Sequence, residues 1–244
     1  MAGKSHEPFQ LTGRYADRHR WEVLGGAGDG RPTGEEVVKD EGLVGALPDK
    51  VFLVTGVSSG MGPATVRALA LTGATVFATA RNLPKAEAAL GGAEGGLLAP
   101  AGRVHLLHVD QADLASVRAC AAELRARTPG GLHVMVNNAA VMKTPEGGRS
   151  KDGLEIQLAT NHLSHFLLFY LLRDLLIASA TPEFPSRVVN VTSLGHRYGS
   201  IHFDNLSLEG EYGDGWPACE STPPVQYPLS PIYTFAALSP HNTE

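Results

Sequence analysis

From Lys50 onward, short apolar runs alternate with segments whose apolar residues recur at helical spacing. The apolar runs predict buried strands near residues 51–55, 74–79, 103–108, 132–136 and 187–192. The helical patterns predict helices near residues 62–72, 84–90, 113–127 and 154–179. This alternation predicts an α/β fold with a doubly wound parallel sheet and helices on both faces. Ligands of such sheets bind beyond the carboxyl ends of the strands, where the strand order reverses.

The segments on either side of this pattern differ from it in composition. Residues 1–29 are polar and rich in glycine, and we predict a flexible N-terminal arm. Thr33 and Glu36 have the spacing of a capping box, which predicts the start of a short helix. Residues 216–244 contain closely spaced prolines that leave no room for a helix of normal length. We therefore predict one domain over residues 30–244 that ends in an atypical tail.

A glycine-rich turn follows the first predicted strand and leads directly into a helix. It is followed by Pro63 in the first helical turn, where the missing N–H costs nothing. Unpaired backbone N–H groups and the positive end of the helix form a phosphate site at such a turn. The residues expected to bind a phosphate-bearing cofactor are Gly56, Ser58, Ser59, Gly60, Met61 and Gly62. The alternative is a turn that needs glycine only for its backbone conformation.

Two cations follow the second predicted strand, where dinucleotide-binding proteins select their cofactor. An acidic residue there accepts a hydrogen bond from the ribose 2′-OH of NAD, and this sequence has none between Ala74 and Leu83. Arg81 instead offers a planar cation suited to a 2′-phosphate, and Lys85 adds charge one turn later. We therefore predict NADP(H) as the cofactor in preference to NAD(H). The alternative is a pair of solvated cations at a helix start.

Polar residues also follow the third and fourth predicted strands. Asp110 can contact the adenine of a cofactor or cap the next helix, although Asp113 is the better-placed cap. The fourth strand ends in two asparagines and two alanines, residues 137–140, which indicate a backbone lying close to a ligand. We expect Asn137 and Ala139 to bind the cofactor, and one asparagine to fasten neighbouring strands through main-chain hydrogen bonds. An ordinary asparagine turn is the alternative.

Two further polar positions are candidates for contact with a substrate. Asn161 interrupts the apolar pattern of the longest predicted helix, where a buried amide needs a partner. Ser193 follows the last predicted strand, where its hydroxyl can bond a carbonyl or alcohol oxygen, and it lacks the G-x-S-x-G surroundings of a serine hydrolase. His162 and His165 have no third ligand nearby in the sequence, so we interpret them as packing or surface residues and predict no metal site.

Composition narrows the class of protein. A length of 244 residues suits a single domain. The net charge of −5, without a lysine- or arginine-rich block, argues against a nucleic-acid partner. Cys120 and Cys219 are too few and too far apart for a disulfide framework, and we expect Cys120 in the core. We find no secretory leader and no apolar stretch long enough for a bilayer, so we expect a soluble, cytoplasmic protein.

Together these motifs resemble those of the short-chain dehydrogenase/reductase family. Residues 55–62 match its T-G-x-x-x-G-x-G turn, and residues 137–140 are similar to its N-N-A-G element. Asn161 and Ser193 occupy the places of its catalytic asparagine and serine. The resemblance covers roughly residues 30–212 and is strongest to a fungal member of the retinol-dehydrogenase and WW-domain-oxidoreductase-like branch. It implies a Rossmann-like NAD(P)-binding domain that transfers hydride between NADP(H) and a carbonyl or alcohol substrate.

The sequence departs from the family at its acid–base pair. The family uses a tyrosine together with a lysine four residues later, which lowers the tyrosine pKa and holds the nicotinamide ribose. No lysine follows Lys151 here, and other residue types stand four positions after the late tyrosines: His202 after Tyr198, Trp216 after Tyr212, Pro231 after Tyr227 and Ala237 after Tyr233. Two functional classes therefore stay open: an NADP-dependent oxidoreductase, and a catalytically silent NADP-binding or interaction protein.

The same departure bears on the fold. The family's next helix and further strands are missing or altered here, so we predict that the C-terminal part of the sheet is incomplete. Residues 232–240 resemble the family's next strand only faintly. The strand ending at Thr192 would then present a long apolar edge and face, and we expect the chain to associate with itself as a homo-oligomer.

Overall fold

The protein is built on a six-stranded sheet whose first five strands are parallel. The computed structural model describes residues 13–26, 28–91, 96–98, 102–145, 148–193, 202–210 and 232–238. The strands are β1 (Val51–Thr55), β2 (Thr75–Ala80), β3 (Val104–His108), β4 (Val134–Asn137), β5 (Ser186–Thr192) and β6 (Ile232–Leu238). They lie in the order β3-β2-β1-β4-β5-β6, so the chain crosses from one edge back to the centre between β3 and β4. The five parallel strands predicted from apolar runs are confirmed.

The helices cover both faces of the sheet, as predicted. They are α1 (Gly34–Asp40), α2 (Met61–Leu71), α3 (Leu83–Ala89), α4 (Leu114–Arg127) and α5 (Ser164–Ser179). One apolar cluster joins α2 and α3 to strand residues such as Phe52 and Val54. The other joins α4 and α5 to residues such as Leu53 and Met135, which point the opposite way because side chains alternate along a strand. No helix in the described ranges is long and apolar enough to cross a membrane.

Cys120 lies in the second of these clusters, on the buried face of α4. Burial raises the pKa of its thiol to about 12, and the nearby Glu123 carboxylate adds to the shift. The thiol is therefore an apolar packing group and not a reactive one. This confirms the expectation that Cys120 belongs to the core, whereas Cys219 lies outside the described residues.

The segment before the sheet is tied to α1. Thr33 and Glu36 form the predicted capping box, in which each side chain bonds the backbone N–H of the other residue. Two short 3₁₀ turns, Ala16–His19 and Trp21–Val23, precede it. The Tyr15 hydroxyl donates to the Asp40 carboxylate at 3.0 Å. Of the arm predicted over residues 1–29, residues 13–26, 28 and 29 are described, and this contact joins the arm to α1 at Tyr15.

The edge of β5 differs from the expectation. We predicted an exposed edge, but β6 pairs with β5 along its whole length, from Ser186 opposite Leu238 to Thr192 opposite Ile232. The pairing is antiparallel, so β6 runs against the other five strands. The apolar run at residues 232–238 has the composition of a strand, but the prolines on both sides of it, Pro231 and Pro240, obscure this pattern in the sequence. The rest of the predicted tail, residues 216–231 and 239–244, lies outside the described residues.

The longest predicted helix is interrupted around Asn161. Residues 154–179 were expected to be one helix, but the structure has a π-helix at Leu158–Leu163 followed by α5. The buried Glu155 carboxylate accepts hydrogen bonds from the backbone N–H groups of Gln157 and Leu158 and so caps the start of this segment. A π-helical turn is rare and often marks a functional site. Asn161 lies within it.

Candidate functional site

A cavity of about 850 Å³ lies at the carboxyl ends of the central parallel strands. Its wall is formed by the turns that follow β1, β2, β3 and β4 and by the segment leading into α5. This is where the strand order reverses, because β1 lies between β2 and β4. The position is the one expected for a ligand in a doubly wound sheet.

Most of the predicted site residues line this cavity. Those on its wall are Gly56, Ser58, Ser59, Gly60, Met61, Arg81, Lys85, Asp110 and Ala139. Among the described residues, four predicted ones are not part of the lining: Gly62, Asn137, Asn161 and Ser193.

The glycines of the turn after β1 have three different roles. Gly56 has φ +74°, and a Cβ there would stand 2.6 Å from the Ala139 Cα. At Gly62 a Cβ would stand 2.2 Å from the Gly56 carbonyl oxygen, so this glycine allows α2 to pack against the turn. Gly60, the N-cap of α2, has φ +63° and open space around its Cβ position. It leaves the first N–H groups of α2 accessible to an anion.

The rim of the cavity after β2 is cationic. Arg81 and Lys85 are both exposed, and neither forms an ion pair with any residue in the described ranges. The Asn82 side chain caps α3 by accepting a hydrogen bond from the Lys85 N–H at 2.9 Å. The two cations therefore lie on either side of the start of α3, Arg81 before it and Lys85 in its first turn, with their charges available to a ligand.

Asp113 caps α4, whereas Asp110 lies beside the cavity. Asp113 is the N-cap of α4 and accepts from the N–H groups of Ala115 and Ser116. The Lys151 ammonium lies 2.7 Å from the Asp113 carboxylate and lowers its pKa. Asp110 lies on the cavity wall, where one of its oxygens accepts from the Ala112 N–H at 3.0 Å. The sequence could not decide between these roles for Asp110, and the structure leaves its carboxylate beside the cavity.

The two asparagines at the end of β4, Asn137 and Asn138, point in opposite directions. Asn137 donates to the Asn190 side chain on β5 at 2.7 Å and is buried within the sheet. Asn138 lines the cavity and donates to the carbonyls of Thr55 and Gly56, at 2.9 and 3.1 Å. The predicted fastening of strands through main-chain bonds is thus made by Asn138. Asn137, which we expected at the cofactor, is not part of the cavity lining, since its side chain points away from that of Asn138, and its binding to the cofactor stays a prediction.

Asn161 fixes the loop that follows β4. Its side chain accepts from the Val141 N–H at 2.8 Å and donates to the Val141 carbonyl at 2.9 Å. This pair of bonds satisfies an amide that is only 2% exposed. Asn161 acts on the cavity through Val141, which is part of the lining.

Ser193 follows β5 and is almost completely buried. It lies one residue before a segment, 194–201, that is outside the described residues, as are Tyr198, Tyr212 and Tyr227. Lys151, the last lysine in the sequence, forms a salt bridge with Asp113. The structure therefore places no tyrosine–lysine pair on the described wall of the cavity.

His162 and His165 both lie at the junction of the π-helix and α5, but their environments differ. The His165 ring is buried, with Nε2 2.8 Å from the Thr55 Oγ1 and Nδ1 2.9 Å from the Asn161 carbonyl oxygen. His162 is half-buried and stacks on Phe166. In the described part of the chain, no group of three or more His, Cys, Asp or Glu side chains is arranged to hold a metal ion. His165 is a packing residue with a specific hydrogen-bond environment.

The buried His165 ring predicts a loss of stability on mild acidification. Burial lowers the pKa of His165 to about 4, against the opposing effect of its bond to the Asn161 carbonyl. The unfolded chain, with a pKa of about 6.5, binds the proton first, so stability rises with pH between these values. We expect the free energy of unfolding to fall by about 2 kcal/mol between pH 7 and pH 5 from this residue alone. Urea denaturation at both pH values measures it.

The matched comparison is His165→Gln, which removes the titrating group. The pKa values of His105, His133 and His162 are also lowered, mainly by burial, so the variant should keep a shallower pH dependence of the same sign. A variant with the full wild-type slope would contradict the assignment to His165.

Several polar residues of the cavity wall were not predicted from the sequence, among them Thr79, Gln111 and Thr160. Each of these three carries a buried side-chain oxygen without a hydrogen-bond partner among the described residues. Their positions follow from the ends of β2 and β3 and from the π-helix, but threonine and glutamine carry no motif of their own. Unpaired buried polar atoms are costly, and those on a cavity wall suit a polar ligand.

Comparison with known proteins agrees with this architecture. The family model described as short chain dehydrogenase matches residues 50–206. Short-chain dehydrogenase/reductase prx1 of Penicillium roqueforti is 48% identical over 193 residues, which are 79% of this chain and 54% of that protein. Retinol dehydrogenase 11 of Mus musculus is 41% identical over 175 residues, covering 72% of this chain and 53% of that one. The chain thus spans about half the length of the curated relatives it matches.

A solved structure is also similar to this chain in fold and sequence. The Pseudomonas aeruginosa RhlG/NADP active-site complex aligns with a TM-score of 0.51 and 28% identity, over 63% of this chain and 58% of that one. The glycine turn, the doubly wound sheet and the matched family model all lie in the same part of the sequence. We conclude that the chain belongs to the short-chain dehydrogenase family.

Proposed function

We propose that this chain binds NADP(H) in the cavity and that the protein transfers hydride between NADP(H) and a carbonyl or alcohol substrate. The observation that carries the proposal is the presence, on one cavity wall, of a glycine turn at the start of α2 and the unpaired cations Arg81 and Lys85. The relatives support it, because one is named for an alcohol, retinol, and the Pseudomonas neighbour is an NADP active-site complex.

The residues present fit a dinucleotide. The open space at Gly60 and the N–H groups of α2 suit a pyrophosphate. Arg81 and Lys85 suit the additional 2′-phosphate that distinguishes NADP from NAD. The unpaired oxygens of Thr79, Gln111 and Thr160 give the cavity polar groups that a ligand can satisfy.

The chemistry divides between the cofactor and the chain. The nicotinamide, when bound, supplies or accepts the hydride. Asp110 would contact the adenine end, Ala139 would let the backbone after β4 approach the ligand, and Asn161 holds that loop through Val141. Ser193 would donate a hydrogen bond to the substrate oxygen and so polarise a carbonyl.

The cofactor preference can be tested by replacing Arg81. A charge-assisted hydrogen bond to the 2′-phosphate contributes about 1.5–3 kcal/mol, so Arg81→Ala should weaken NADPH binding roughly ten- to a hundredfold. NADH lacks that phosphate, and its affinity should not change. Fluorescence titration of both cofactors against both proteins measures the difference.

Arg118→Ala is the matched control, because Arg118 is exposed on α4 and is not part of the cavity lining. It should bind both cofactors like the wild type. Equal affinities of the wild type for NADPH and NADH, or undiminished NADPH binding by Arg81→Ala, would rule out the proposed role.

A second function is favoured by one observation, the absence of any lysine after Lys151. In that case the chain is an NADP-binding protein without turnover, which senses or stores the cofactor or interacts with another protein. Both functions predict NADPH binding, and they differ in the rate of hydride transfer.

A further inference from the structure

A buried polar network lies behind the cavity wall, with the His165 ring at its centre. The ring is 2% exposed, and both of its nitrogens have polar neighbours. Nδ1 lies 2.9 Å from the Asn161 carbonyl oxygen. Nε2 lies 2.8 Å from the Thr55 Oγ1 and 3.0 Å from the Gln111 Nε2. The network therefore joins β1, the loop after β3 and the π-helix.

The partners determine where the protons lie. A carbonyl oxygen only accepts, so His165 Nδ1 carries a proton and donates it to Asn161. The Gln111 amide nitrogen only donates, so His165 Nε2 is the acceptor. The Thr55 hydroxyl can then donate to the same nitrogen, since the other acceptor within its reach, the Val136 carbonyl, is farther away at 3.5 Å. The ring is neutral, with its proton on Nδ1.

The Thr55 hydroxyl connects the His165 ring to the cavity wall. Its oxygen accepts the backbone N–H groups of Asn138 and Ala139, at 2.9 and 3.0 Å. Asn138 and Ala139 line the cavity, and so does Gln111. The His165 ring thus orients the Thr55 hydroxyl, which in turn binds two backbone N–H groups of the wall. The same ring also accepts a hydrogen bond from Gln111 of that wall.

We propose that His165 is a positioning residue for the cofactor: a neutral imidazole, protonated on Nδ1, that aligns Thr55 and Gln111 and thereby fixes the cavity wall at residues 138 and 139. This inference rests on the proposed NADP(H) site. His165 does not line the cavity and takes no part in the chemistry itself.

Two substitutions test the hydrogen bonds of Nδ1 and of Nε2 separately. In His165→Asn the amide nitrogen takes the place of Nδ1 and keeps the bond to Asn161, but Thr55 and Gln111 lose their acceptor. In His165→Gln the amide oxygen reaches the place of Nε2 and keeps that acceptor. We expect His165→Asn to weaken NADPH binding about tenfold and His165→Gln to bind within about threefold of wild type.

A readout without cofactor tests the network directly. Amide hydrogen exchange of Asn138 and Ala139 in the free protein should be about tenfold faster in His165→Asn than in His165→Gln. The ¹⁵N shifts of the wild-type His165 ring at pH 7 should show a protonated Nδ1 and an unprotonated Nε2. This last measurement needs no variant and holds even if a substituted protein fails to fold.

His133→Asn is the matched control. His133 is also buried, but its Nδ1 lies 3.2 Å from the Val51 nitrogen at the opposite end of β1. This variant should lose stability without changing NADPH affinity or exchange at residues 138 and 139.

Three results would overturn the proposal: a proton on Nε2 in the wild type, equal effects of His165→Asn and His165→Gln, or unchanged exchange in His165→Asn. If the wild type binds no NADPH, the proposed function fails. The ring tautomer and the exchange rates would in that case still decide the positioning role of His165.

Discussion

The 244-residue chain should bind NADPH and yet reduce carbonyl substrates roughly 10²- to 10⁴-fold more slowly than an enzyme with a positioned acid–base group. Reduction of a carbonyl needs a proton donor for the developing alkoxide, and the reverse reaction needs a base. A free tyrosine has a pKa of about 10, and a neighbouring ammonium favours its phenolate and brings the pKa toward the working pH. The Ser193 hydroxyl is a far weaker acid and cannot replace that pair.

The positions of the lysines support this expectation. Lys151 is the last lysine of the sequence, and its ammonium lies 2.7 Å from the Asp113 carboxylate at the start of α4. That bond raises the pKa of Lys151 and keeps its charge at the surface. Lys85 lies on the cavity rim beside Arg81, where a 2′-phosphate is expected. Because Lys151 is paired with Asp113 and Lys85 is expected at the 2′-phosphate, we expect neither ammonium to lower the pKa of a tyrosine beside Ser193.

The measurement is NADPH oxidation by the purified chain with a panel of aldehydes, ketones and retinoids. NADPH titration of the same preparation is the control, because it shows that the cofactor site is formed. Turnover on the order of 1 s⁻¹ or faster, typical of working enzymes, would show that another residue has taken over the proton transfer.

Gly62→Ala should strongly destabilise this protein and weaken its binding of NADPH. The new Cβ would stand 2.2 Å from the Gly56 carbonyl oxygen and 2.8 Å from the Val57 Cα, both of which are backbone atoms. Backbone cannot move aside as a flexible side chain can, so α2 must shift away from the turn. We expect a loss of about 3 kcal/mol in the free energy of unfolding. NADPH affinity should fall at least roughly a hundredfold, since the N–H groups at the helix start would move with it.

Urea denaturation and NADPH titration measure both effects. Gly130→Ala is the matched control, because a Cβ at Gly130 meets nothing within 4 Å and its φ is not positive. That variant should be close to wild type in both measurements. Wild-type stability of Gly62→Ala would mean that the turn is more adaptable than its contacts indicate.

Local patterns in the sequence were sufficient for most of the fold. The apolar runs at β1 and β4, the glycine turn at Gly60 and the capping box at Thr33 each depend on residues close together in the chain, and all of them are present. The pairing of β6 with β5 was missed, because it joins segments separated by a proline-rich stretch whose signals dominated.

The site was predictable only in part, because contacts between residues distant in the sequence leave no local pattern. Residues with a motif, such as Arg81, lie on the cavity wall as expected. Asn161 bonds Val141, and His165 bonds Thr55. Both partners are distant in the sequence, so the spacing of apolar residues along the chain could not predict these contacts. Asn137 and Asn138 point to opposite sides because neighbouring residues alternate, but which of them faces the cavity depends on the register of β4, which the sequence does not determine.

The contact between Gly56 and Ala139 limits how this protein can change. The two residues belong to motifs that are distant in the sequence, yet a Cβ on Gly56 would lie 2.8 Å from the Ala139 Cβ. That Cβ would also stand 2.6 Å from the Ala139 Cα and 3.0 Å from the Ala139 backbone nitrogen, so no change of side chain at residue 139 makes room for it. With its φ of +74°, position 56 therefore has to remain glycine, and a designer who wishes to alter this cavity must keep the spacing between these two backbone segments unchanged.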